Sequence, residues 1–173
     1  AQRRANRDRA AFDDPLARTL AEHRTGFETL RRGAIRYVDA GRPAEAIALV
    51  ERLIEHDPAD LDAYQLLAAA YQAAGRSSES ERVLRAALEV DARHPQCLTN
   101  LAVVLLELRN ERSLAEALEL IDRAIMERPR HGRTHYVRGR VLAAAGRLDE
   151  AVAAYLDAFE HDAREVDALL LGR

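Results

Sequence analysis

The sequence predicts an all-α solenoid of antiparallel helix pairs, and three observations lead there. A Gly-Arg turn signal recurs at Gly41-Arg42, Gly75-Arg76 and Gly146-Arg147. A small helix-facing residue keeps the same count, running Ala46, Ser80, Ala117 and Ala151 in steps of 34, 37 and 34 residues. A helical period near 34 is the mark of stacked helix pairs, each unit burying its apolar face against its neighbours. Within each pair the apolar residues fall at i, i+3, i+4 and i+7, and no β-rich alternating segment competes. A solenoid works through its surface, so the function class is binding.

Each element follows in order. Residues 1–13 carry Arg3, Arg4, Arg7 and Arg9 and read as a disordered, solvated basic arm. Asp14 then suits an N-cap and Pro15 the first helical position, opening a capping helix over about 14–24, within an N-terminal cap of 14–26. Its stripe of Leu16, Leu20, His23 and Phe27 covers the face of the first repeat. Four helix pairs occupy 27–163. The first is roughly 26–40 and 43–56, stopped by Gly41 and restarted at Pro43. The second is 60–74 and 77–90, with Asp60 and Ser77 as caps. The third is 94–109 and 113–127, where Ser113 and Glu116 have capping-box spacing. The fourth is 131–145 and 148–161, broken at Gly146, and 164–173 begins a C-terminal capping helix.

Composition narrows the classes further. All 26 basic residues are Arg, the pattern of a GC-rich, bacterial genome. Residues 1–42 hold ten Arg against six acids and 43–173 hold sixteen against twenty-three, a basic lead too weak to predict nucleic-acid binding. No apolar run approaches the ~18–20 residues of a spanning helix, so no membrane insertion is expected. Cys97 is alone, which excludes an internal disulfide and a thiolate metal site and suits a reducing, cytoplasmic setting. The N-terminus lacks Met and reads equally as processed or truncated, so an exported form stays open.

These positions resemble the tetratricopeptide repeat (TPR). Its eight signature sites fall on Leu30, Gly33, Ala34, Tyr37, Ala46, Val50, Leu53 and Pro58 in the first repeat. The second repeat supplies Tyr64, Leu67, Ala68, Tyr71, Ser80, Leu84, Ala87 and Ala92. The third gives Leu98, Leu101, Ala102, Leu105, Ala117, Ile121, Ala124 and Pro129, and the fourth His135, Arg138, Gly139, Leu142, Ala151, Tyr155, Ala158 and Ala163. Arg138, Ser80 and the missing Pro of repeats two and four depart from the pattern. The third repeat carries three extra residues, placed in its turn at 109–113. The resemblance implies a right-handed superhelix whose first helices line a concave groove.

By that register the groove carries Arg31 and Ile35, then Gln65, Leu66 and Gln72, then Asn100, Val103 and Leu106, and finally Arg133, Tyr136 and Arg140. Amides in the middle can hold a peptide backbone, the apolar side chains can take an apolar residue, and Arg at both ends can pair with acids. The family's five-residue carboxylate clamp for chaperone tails is not kept. From repeat one its positions hold Arg31, Ile35, Leu66, Gln96 and Asn100, and from repeat two Gln65, Ala69, Asn100, Arg133 and Val137.

Catalysis and metals find no support. There is no Gly-rich phosphate loop and no nucleophile elbow, and the carboxylates lie on solvated faces. His131 and His135 have helical i,i+4 spacing but lack a third ligand, and His94 repeats the place of His131 as His56 repeats that of His161. The expectation is a non-enzymatic scaffold or adaptor, without cofactor, binding a partner protein or peptide in the groove. The alternatives are a self-assembling, homo-oligomeric scaffold and the recognition module of a larger enzyme or assembly machine.

Overall fold

Turn chemistry sets most of the helix boundaries. The computed structural model describes residues 15–108 and 110–171, with side chains described over 26–108 and 110–161. Among the described residues there are eight helices and no strand: α1 (Pro15–Asp39), α2 (Pro43–His56), α3 (Leu61–Ala73), α4 (Ser77–Val90), α5 (Pro95–Leu108), α6 (Glu111–Glu127), α7 (Gly132–Ala144) and α8 (Leu148–Leu171). Gly41, Gly75 and Gly146 take φ of 68°, 72° and 77°, the left-handed region that a Cβ disfavours. Each turn then closes alike, because the next Arg N–H reaches back to Tyr37 O at 2.8 Å, Tyr71 O at 2.9 Å or Leu142 O at 2.9 Å.

The turn module is longer than the Gly-Arg pair visible in the sequence reading. A Glu three residues on completes it, with Arg42–Glu45 at 2.7 Å, Arg76–Glu79 at 2.8 Å and Arg147–Glu150 at 2.6 Å. The arginine hydrogen bond holds all three carboxyls below the usual carboxylate range. In the first two turns the guanidinium also lies over the Tyr37 or Tyr71 ring, 4.8 and 4.7 Å from its centroid.

Five sequence expectations need correction. The separate helices at 14–24 and 26–40 are one helix, α1, because Gly26 keeps an ordinary φ and no Pro intervenes. The C-terminal end behaves likewise. Ala163 stands where repeats one and three have Pro58 and Pro129, and no proline follows it as Pro95 follows Ala92 of repeat two, so α8 is not stopped near residue 161 and runs on to Leu171. Ser113 does not open a capping box. Asn110 caps α6 by accepting from the Ser113 N–H at 2.9 Å, and Glu116 pairs with Arg85 at 2.8 Å instead. Asp60 does cap α3, accepting from Ala63 N–H at 3.0 Å, but Ser77 is already helical and donates to Glu107 at 2.8 Å. The three inserted residues do not lie in the turn. They lengthen α6 to 17 residues against 14 in α2 and α4, nearly one further turn. The basic arm at 1–13, like Asp14, lies outside the described residues.

Packing explains the departures from the family signature. Ala46, Ser80 and Ala117 are fully buried and Ala151 is 2% exposed, letting paired helices approach closely. Ser80 can stand for Ala because its hydroxyl donates to Ala68 O at 3.0 Å. Arg138, at an apolar site, reaches Asp122 at 3.1 Å from the flank of α7. The core runs as a chain of clusters, the largest joining Leu84, Leu98, Leu101, Leu105, Ile121 and Val141 from the middle repeats. The cluster at the C-terminal end is small, with Leu142, Ala151 and Ala154 as its buried members. Among the described residues, consecutive first helices (α1, α3, α5, α7) touch one another, whereas the second helices do not. The first helices therefore form the crowded, inner side of the curve.

Candidate functional site

The inner side presents eleven positions singled out in the sequence. Four first helices hold them in file, and a polar ladder ties the helices together. Arg31 on α1 bonds Asp60 at 2.5 Å and lies 3.9 Å from Asp62, both at the start of α3. On α3, Gln65 donates to Leu61 O at 3.3 Å and to Asp62 at 3.4 Å. Its side-chain oxygen accepts from Asn100 Nδ2 on α5 at 3.5 Å, and Asn100 Oδ1 accepts from Arg133 on α7 at 3.0 Å. A second rung joins Gln72 to Glu107 at 3.4 Å. The amides and two of the three arginines are thus already paired, which orients them before anything binds.

Five other members stand beside the ladder. Ile35 is 44% exposed at one end and Tyr136 is 50% exposed at the other. Leu66 and Val103 are half-buried between them. Arg140, one turn beyond Tyr136, is exposed and makes no ion pair with any described residue. Leu106 departs from the expectation. It is only 6% exposed and belongs to the central core cluster, because α5 is flanked on both sides by first helices that cover the edges of its stripe. Thr99 on the same helix is also buried, its hydroxyl meeting that of Thr134 at 3.2 Å, and Val137 on α7 is buried in the central core cluster.

The α7 end is richer than the sequence reading placed it. An open pocket of about 700 Å³ is lined by Arg133, Tyr136, Tyr155, Ala158 and Phe159. The Tyr136 and Tyr155 ring centroids are 5.7 Å apart and tilted by 46°. Tyr155, a signature site of the fourth repeat, and Phe159 come from α8, a second helix, and so fall outside the groove positions, which the register takes from first helices. The signal that locates them is that no described helix follows α8 to cover them. Gly139 supplies the room, since a Cβ there would meet the Tyr155 ring at 2.5 Å.

The remaining chemistry-bearing residues are structural. Cys97 is fully buried, and burial pushes its thiol up to about 11, away from nucleophilic reach. His131 Nδ1 pairs with the Thr134 hydroxyl at 2.8 Å, and His135 donates from Nε2 to Pro129 O at 2.8 Å. Among the described residues no group of three His, Cys, Asp or Glu is placed to hold a metal ion. None of their helices is long and apolar enough to cross a membrane.

Similarity to known proteins agrees with this architecture. Two tetratricopeptide-repeat family models match residues 37–104 and 105–165. No curated protein matches the chain. Among solved structures, MamA from Desulfovibrio magneticus RS-1 superposes with a TM-score of 0.66 at 19% identity, over 82% of this chain and 78% of that one. TTC0263, a thermophilic TPR protein of Thermus thermophilus, gives 0.70 at 22% identity, over 78% and 73%. The first TPR of Spaghetti (RPAP3), bound to the HSP90 peptide SRMEEVD, gives 0.61 at 17% identity, over 69% and 93%. The family models span most of the sequence and the neighbours share its all-α solenoid, a fold whose family is generally one of non-enzymatic interaction scaffolds. The chain belongs to the tetratricopeptide-repeat family and is built as a protein–protein interaction module.

Proposed function

We propose that the chain is a cytoplasmic adaptor that holds a segment of a partner protein in its concave groove, recruiting that partner without catalysis or cofactor. The observation that carries this reading is the division of labour on the inner side. Arg31, Gln65, Asn100 and Arg133 are pre-paired into a rigid ladder, while Ile35, Tyr136 and Arg140 face solvent beside it. Rigid polar groups lose little entropy on binding, and an exposed aromatic next to an uncommitted guanidinium is the composition of a binding hot spot. The preferred segment carries a large apolar residue for Tyr136 and a nearby acid for Arg140. The lone buried thiol suits the reducing compartment. The RPAP3 neighbour, bound to an HSP90 peptide, illustrates a peptide on this fold, but the five-residue clamp constellation of chaperone-tail binders is not kept here.

The test is calorimetric. A partner captured from the source cells is titrated against the wild type and against Asn100→Ala/Arg140→Glu. The double variant is expected to bind at least about tenfold more weakly, ~1.4 kcal/mol, with helix content and unfolding midpoint retained. Unchanged affinity in a folded double variant overturns the groove assignment.

A further inference from the structure

We propose that the uncovered end face of α8 is a joint for α1 of a second copy, so that chains associate head to tail. Three independent observations converge on that occupant.

The first is an unfilled packing position. Ile54, Leu88 and Ile125 hold the same repeat position on α2, α4 and α6, and each is half-buried against the cores. Phe159 is their counterpart on α8 and is 73% exposed. Val152 is 58% exposed, whereas its apolar counterparts Ile47 and Leu118 are 8% exposed and half-buried and the α4 counterpart, Glu81, is half-buried. With Leu148 and Leu156, 64% and 60% exposed, these residues make one apolar stripe at helical spacing. In the array, the face of a second helix is covered by the next first helix, as α3 covers α2 and α5 covers α4. What fits the α8 face is therefore a first helix.

The second observation is an uncovered first helix. Positions 63 and 70 of α3, 97 and 104 of α5, and 134 and 141 of α7 are all buried. Their counterparts on α1, Thr29 and Arg36, are exposed, as is Arg32 beside them. Length adds to the match. The helices α1 and α8 have 25 and 24 residues, against 13 to 17 in the six between them. Each overshoots the shorter helix of its own pair, α2 with 14 residues or α7 with 13. Continued in register, the two long helices would lie antiparallel along their whole length.

The third is charge. Within its range α8 has seven acids and one Arg, while α1 has five Arg and three acids. Like-charged α8 faces repel one another, and an arginine-bearing α1 attracts them. Arg32 and Arg36 can lay their aliphatic stems along Val152 and Phe159 while their guanidinium groups reach the acids at the edge. The two patches differ, so the contact is heterologous and grows beyond a dimer unless an end is blocked.

Sedimentation velocity across a concentration series tests this, using the full chain and two end-blocked variants. The wild type is expected to grow past dimer as concentration rises and to dissociate in high salt. Val152→Asp/Phe159→Asp and Arg32→Glu/Arg36→Glu should each stay monomeric at concentrations at least tenfold above the wild-type transition, with unchanged circular dichroism. Mixed together, they should form one-to-one dimers and nothing larger, since one intact joint remains. A wild type that is monomeric throughout overturns the proposal. So does self-association of the Arg32→Glu/Arg36→Glu variant alone, or a mixture that stays monomeric.

Discussion

Leu101→Ala should lower the free energy of unfolding by about 2–5 kcal/mol, the range for removing a fully enclosed leucine side chain. Leu101 is 1% exposed in the cluster that joins the second, third and fourth repeats, with Leu84 from α4, Ile121 from α6 and Val141 from α7 in the same cluster. The cavity cannot close easily because helices on both sides hold the walls in place. A repeat array gains its stability from interfaces between neighbouring units, so a defect in the middle weakens two interfaces at once. For a chain of this size the thermal midpoint should fall by about 4–20 °C, at roughly 2–4 °C per kcal/mol. Met126→Ala, at a site 80% exposed, serves as the control and should stay within about 0.5 kcal/mol of wild type. Urea denaturation followed by circular dichroism measures both, and equal midpoints for the two variants would contradict this packing.

Gly139→Ala should destabilise by about 1–3 kcal/mol, although alanine is the better helix former by ~1 kcal/mol. The reason is the Tyr155 ring, which a new methyl would meet at 2.5 Å, well inside contact distance. The ring would have to leave its place beside Tyr136 and loosen the contact between α7 and α8. In a Tyr155→Ala background the obstacle is gone, so the same substitution should become neutral or stabilising. A double-mutant cycle by urea denaturation reads the change of sign. Destabilisation of equal size in both backgrounds would show that the tyrosine is not the obstacle.

How much of this could be read in the sequence depended on whether local chemistry or neighbours decided each feature. Gly41, Gly75 and Gly146 announce their turns because a left-handed backbone strongly favours glycine, and the structure places all three there. Small residues at Ala46, Ser80, Ala117 and Ala151 announce the helix crossings for a similarly local reason. The terminal helices were less legible. Gly26 is compatible with a helix or a break, and no proline stands at or just after Ala163 as Pro58, Pro95 and Pro129 do in the earlier repeats, so propagation carried α1 and α8 through both points.

In the groove, register alone found Asn100, Tyr136 and Arg140 on the inner side. It could not show that Leu106 would be covered, since that depends on α5 having a first helix on each side. Nor could it show that Arg31 would be tied to Asp60 and Asp62, a pairing that exists only once α1 and α3 lie side by side. The Arg–Glu pairing in the turns was readable, as Arg-x-x-Glu after each of the three glycines, and its i,i+3 geometry is the missed clue.

The most direct test of partner binding on the inner side is site-specific photo-crosslinking. A photoreactive phenylalanine analogue is placed at Tyr136 in one sample and at Met126, on a second helix, in another; both sites are at least half exposed. With the captured partner present, Tyr136 should crosslink to it and Met126 should not. Crosslinking from Met126 with none from Tyr136 would place the partner on the other side of the solenoid and contradict the groove.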